Sequence, residues 1–189
     1  LDDLAAVVGG APDGLLLPKC AGGPEIARLD HYLTALEVRE GVPVGRVRIV
    51  SVATETAASL FELGSYRGAS ERLHGLTWGA EDLSTALGAS TNRADDGSYA
   101  FPYQLARTLC LAGARAAGAQ PIDTIFPNFR DPEALRAQVR RARQDGFTAK
   151  FAIHPDQVAI INEGFSPDPA EVAHARAVVA AFREQPGAG

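Results

Sequence analysis

The 189-residue chain alternates short apolar runs with longer amphipathic ones, and this alternation restricts its possible folds more than any other feature. Residues 14–19, 46–54, 73–79, 123–127 and 149–154 are short and nearly continuously apolar, and Pro, Gly or a charge closes several of them. Such runs read as strands covered on both faces. Between them, apolar residues recur at helical spacing. Residues 25–40 carry Ile26, Leu29, Leu33, Leu36 and Val38, and further helices are predicted over 57–63, 103–117, 132–145 and 168–184. Gly64, Gly118 and Gly146 stop three of these helices, and Pro169 opens the last. Residues 1–8 read as a helix leading into the first strand. Strands alternating with helices in this way mean βαβ units and a parallel sheet, either doubly wound or part of a barrel. In both folds ligands bind at the carboxyl ends of the strands.

Those ends collect polar residues. Lys19 follows the first run, Glu55 the second, Gly79-Ala80-Glu81-Asp82 the third and His154-Pro155 the fifth. Glu55 and Asp82 lie one βα unit apart, which puts them on neighbouring strand ends at one mouth. Mg²⁺ takes one or two carboxylates, keeps several waters and leaves positions for substrate oxygens. Zinc is disfavoured, because no His pair or Cys cluster accompanies the carboxylates. Spacing alone leaves a second reading open. Glu55 and Asp82 would then cap or begin the helices that follow them, Lys19 would be a loop lysine, and His154 a core histidine.

Composition excludes other classes. A net charge of −5 and a pI near 5.4 argue against nucleic acid as a partner, which needs a basic stripe. The densest basic piece, residues 136–143, reads as a solvated helix face. Nothing in the sequence is apolar for long enough to span a bilayer, and Leu1 does not open a signal peptide, so no membrane partner is expected. Cys20 and Cys110, the 2 cysteines, sit in apolar segments and read as buried thiols of a reducing compartment, with the cytoplasm as the expected location.

Five motifs occur in an order that resembles citrate lyase β-subunit-like proteins: Leu15-Leu16-Leu17-Pro18-Lys19, Ala53-Thr54-Glu55-Thr56-Ala57, Trp78-Gly79-Ala80-Glu81-Asp82-Leu83, Gly146-Phe147-Thr148-Ala149-Lys150 and Ile153-His154-Pro155-Asp156-Gln157. The resemblance covers residues 15 to about 179 and extends to the wider group of malyl-CoA lyases and 2-oxo-acid aldolases. It implies an α/β (β/α)8 TIM barrel of the pyruvate-kinase-like type. Residues 1–189 would form a single partial barrel domain holding strands four to eight. The first three strands, with an acidic run and a substrate-holding arginine, and the family's C-terminal segment are then expected to be missing from this sequence.

The resemblance also implies roles. Glu55 and Asp82 would bind Mg²⁺, with Lys19 as a third catalytic residue adding positive charge at the mouth. Gly79, Ala80, Glu81 and Arg93 would contact substrate, and the loop 91–96 would close over it. The implied reaction is cleavage or formation of a 3-hydroxyacyl-CoA such as citryl-, malyl- or citramalyl-CoA, giving acetyl-CoA and a 2-oxo acid. A thioesterase on the same metal, a CoA-independent aldolase and a subunit inactive without partners are the alternatives. A homo-oligomer is expected, a trimer or a multiple of one.

Overall fold

Five parallel strands form one sheet in the computed structural model, which describes residues 1–184. They are β1 (Gly14–Leu17), β2 (Arg48–Val52), β3 (Leu73–Thr77), β4 (Gln120–Asp123) and β5 (Ala149–Lys150), and they pair in chain order. β1 pairs only with β2, and β5 only with β4, so among the described residues both outer strands have an open side. The helices are α1 (Asp2–Val7), α2 (Gly23–Glu40), α3 (Glu81–Leu87), α4 (Phe101–Ala117), α5 (Pro132–Asp145), α6 (Pro155–Phe165) and α7 (Pro169–Glu184). No described helix is long and apolar enough to cross a membrane.

The period of the sequence explains the packing. Ile26, Leu29, Leu33 and Leu36 of α2 are buried in one core cluster with Ile49 of β2, Leu76 of β3 and Trp78, while Val38 of the same helix faces out. Cys20 and Cys110 are buried free thiols, as their apolar surroundings predict. α5 turns its basic side outward, where Arg136 pairs with Glu163 and Arg143 with Glu171.

Beneath the sheet, at the amino ends of β2 and β3, lies a buried charge network. Arg72 donates to both carboxylate oxygens of Glu37 (2.8 and 2.6 Å), to Asp30, to Thr34 and to the Val47 carbonyl. Glu37 also accepts the N–H groups of Gly45 and Val47, so its fully buried carboxylate is saturated with donors.

Four elements differ from expectation. The helix over 57–63 is two 3₁₀ turns, Ala58–Phe61 and Leu63–Tyr66. Thr56 and Ser59 bond each other's backbone there, which competes with an α-helical start. β4 lies at Gln120–Asp123 rather than 123–127, because Phe126 leaves the ladder to pack with Leu135, Val139 and Ile161. β5 ends at Lys150: Phe151 still bonds the Asp123 carbonyl, but β4 offers nothing beyond it. Helix α6 was not predicted; its signal is Pro155 at the first turn, with the His154 ring capping the Asp156 N–H.

Candidate active site

The carboxyl ends of β1, β2 and β3 converge on one residue pair. Past β2, Ala53 still bonds the Thr77 carbonyl, and the buried Thr54 hydroxyl accepts the Gly79 N–H at 3.1 Å. That register brings Glu55 against Gly79. A Cβ at Gly79 would stand 3.0 Å from Glu55 Cγ, so a side chain there would make the glutamate shift by a few tenths of an ångström. Ala80, buried, caps α3, and Asp82 sits in the first turn of that helix.

Lys19 joins the two carboxylates. Its main-chain N–H donates to Glu55 Oε2 at 2.5 Å, and its ammonium pairs with Asp82 Oδ1 at 3.0 Å. Burial raises the pKa of Glu55; the Lys19 N–H opposes the rise and the Asp82 carboxylate adds to it. The Asp82 carboxylate in turn lifts the pKa of the Lys19 ammonium. Two neighbouring carboxylates, one on the Lys19 main-chain N–H and the other on its exposed ammonium, form a hard-oxygen donor set suited to a divalent cation. The set fits Mg²⁺. The described residues contain no group of three or more His, Cys, Asp or Glu that could hold a metal, so water and substrate oxygens would complete the shell.

With this site at the strand ends, likeness to known proteins becomes decisive. Residues 1–155 match the model of the HpcH/HpaI aldolase/citrate lyase family. The chain belongs to that family. It is 32% identical over 194 residues to an L-malyl-CoA/beta-methylmalyl-CoA lyase of Cereibacter sphaeroides, a match covering 95% of this chain and 60% of the relative. It is 32% identical over 190 residues to the citrate lyase subunit beta of Leuconostoc mesenteroides subsp. cremoris, covering 100% of this chain and 61% of that one. Among solved structures, CitE from Mycobacterium tuberculosis in complex with magnesium, acetoacetate and coenzyme A superposes with a TM-score of 0.74 at 29% identity. That match covers 97% of this chain and 62% of the other. The chain thus spans about 60% of the length of the curated relatives it matches.

The remaining residues expected of a family site are placed unequally. Glu81 is exposed and lines an open polar cleft with Asp82, Ser84, Thr85 and Asn92. Arg93 is engaged in its own hairpin. Its guanidinium lies 3.6 Å from the Tyr99 ring centre and donates to the Gly97 carbonyl, and it forms no ion pair with Glu55 or Asp82. His154 stacks on Phe129 at 4.5 Å as a helix cap, not a core histidine.

Sequence reasoning missed a buried hub beside the site. Asp123 accepts from Trp78 Nε1 (2.8 Å), Arg107 Nε (3.1 Å) and Lys150 Nζ (3.0 Å). Burial alone would raise the Asp123 carboxyl, yet Lys150 and Arg107 hold it below its ordinary value; burial lowers the Lys150 ammonium. Trp78 directly precedes the Gly79–Asp82 turn, so the hub fixes the base of the turn carrying Asp82. The available signal was a charge on each of two otherwise apolar strands, Asp123 and Lys150.

Proposed function

We propose that this chain carries the metal-binding part of a Mg²⁺-dependent carbon–carbon lyase acting on a 3-hydroxyacyl-CoA such as citryl-, malyl- or citramalyl-CoA. The observation that carries the reading is the Glu55–Lys19–Asp82 constellation at the ends of three adjacent parallel strands. In this reading the five strands take the places of strands four to eight of a (β/α)8 barrel. Their consecutive parallel order and the open sides of β1 and β5 support that assignment.

Glu55 and Asp82 would hold the cation, and Gly79 keeps the space that lets Glu55 approach it. When bound, Mg²⁺ supplies Lewis-acid stabilisation of charge on the oxygens of the 2-oxo acid half. The C2–C3 bond of the substrate breaks and its hydroxyl loses a proton to become the 2-oxo carbonyl. The electron pair passes to the thioester half, which takes up a proton to leave as acetyl-CoA. The turn Gly79-Ala80-Glu81 would border the substrate, and Arg93 would do so only after leaving Tyr99. Two buried thiols fit a cytoplasmic setting.

The test is product analysis with the full-length protein, malyl-CoA or citramalyl-CoA and Mg²⁺. A 2-oxo acid, trapped as its hydrazone, should appear without free CoA thiol. EDTA should abolish the reaction and added Mg²⁺ restore it. Free thiol without 2-oxo acid would instead mean thioester hydrolysis and overturn the lyase reading.

Assembly as a homotrimer or a multiple of one is part of the proposal. Val178, Val179 and Phe182 of α7 are 41%, 50% and 58% exposed, an apolar stripe suited to a second copy. Light scattering of the full-length protein should give a mass of three or more chains, and a monomer would count against it.

A further inference from the structure

Lys19 is built to hold one group still and leave another free. It is one of two described non-glycine residues with positive φ, at 50°, a conformation that costs most side chains energy. The strain is tied to a contact, since the same backbone turn delivers the Lys19 N–H to Glu55. The side chain is 64% exposed, and Asp82 is its only ion-pair partner among the described residues. We propose that the Lys19 ammonium is the site's own counter-ion: it occupies Asp82 until a divalent cation displaces it, and then pairs with the anionic end of the incoming 2-oxo acid. This rests on the metal reading above and deepens it.

The physical argument is one of competition. An ammonium and a divalent ion cannot share Asp82 comfortably, because their repulsion is twice that between two single charges at the same distance. The loss of an exposed ion pair costs little, so displacement is easy. The freed ammonium stays at the mouth, because the Lys19 main chain remains tied to Glu55. The positive charge missing from Asp82 is thus kept for a carboxylate that arrives after the cation. Cation first and acid second is the binding order that follows.

Two variants separate this from a passive surface pair. Lys19→Asn and Lys19→Gly both accept positive φ and keep the backbone N–H, so a folding defect in one leaves the other to decide. Mn²⁺ affinity, read from the paramagnetic resonance of the free ion, should become about two- to fivefold tighter in both. Pyruvate or oxaloacetate affinity at saturating Mn²⁺ should become about tenfold weaker, and Lys19→Arg should restore it. Mn²⁺ affinity that is unchanged or weaker, or 2-oxo acid affinity that is unchanged, would overturn the proposal while leaving the metal site standing. A wild-type protein that binds no Mn²⁺ would remove the metal reading itself, and this inference with it.

Discussion

Glu55→Gln is expected to lower kcat/KM by about two orders of magnitude or more while the melting temperature holds steady or rises slightly. In the proposed metal site the first half follows from the loss of one of two anionic donors to the cation, and with it several kcal/mol of charge stabilisation in the transition state. The second half follows from the environment of the carboxylate. Burial and the neighbouring Asp82 charge raise the pKa of Glu55, so its ionised form is less favourable in the folded chain than in the unfolded one. Above the ordinary value of 4.5 that penalty opposes folding, and a neutral amide of the same shape removes it. The Lys19 N–H can still donate to the amide oxygen. Activity and stability therefore move in opposite directions, the mark of a group kept for function. Steady-state kinetics and a thermal melt in EDTA read the two halves; a large drop in melting temperature with intact turnover would make Glu55 a structural residue.

The sequence reveals this site because its parts fall at strand ends, where the period of the chain changes. Glu55 and Asp82 needed no long-range information to be placed together: adjacent parallel strands in register put them on one mouth, and the register runs Val52 against Thr77. Lys19 was legible as a strand-end lysine, but not as the residue touching both carboxylates, since that depends on a positive φ which nothing in Pro18-Lys19-Cys20 announces. Arg93, which the resemblance implies as a substrate contact, lies with its guanidinium over the Tyr99 ring, a placement that tertiary packing sets and the loop sequence does not announce. The α-helix expected over 57–63 lost to side-chain bonds between Thr56 and Ser59, local chemistry too short-ranged for a hydrophobic pattern to register. β4 was misplaced because Ile125 and Phe126 extend the apolar run past its end at Asp123, and an apolar residue does not say whether it serves a sheet or a helix pair.

Arg72→Ala should be among the most destabilising single changes away from the site, costing about 3–5 kcal/mol and roughly 10 °C of melting temperature. The guanidinium is 5% exposed, and it neutralises Glu37, whose side chain is at 0%, and Asp30, at 27%. Truncation leaves Glu37 with two backbone donors and no positive partner, an uncompensated buried charge. Its pH dependence identifies the cause. Burial pushes both carboxyls up, but hydrogen bonds, from Arg72 to Glu37 and from Ser70 and Arg72 to Asp30, bring each below its ordinary value of 4.5 or 3.8. Lowered carboxylates stabilise the fold above their unfolded values, and the contribution fades as pH falls through the folded ones. The gap in stability between wild type and Arg72→Ala should therefore be full at neutral pH and narrow below about pH 4. Urea unfolding at a series of pH values reads it directly, and a gap that stays constant into acid would assign the loss to packing of the arginine stem. Replacing Arg72 and Glu37 together by methionine removes both buried charges but leaves the Gly45 and Val47 N–H groups without their acceptor, so it should recover only part of the lost stability. Because this network lies at the amino ends of β2 and β3, away from the carboxyl ends where Glu55 and Asp82 meet, the double variant should keep its affinity for Mn²⁺.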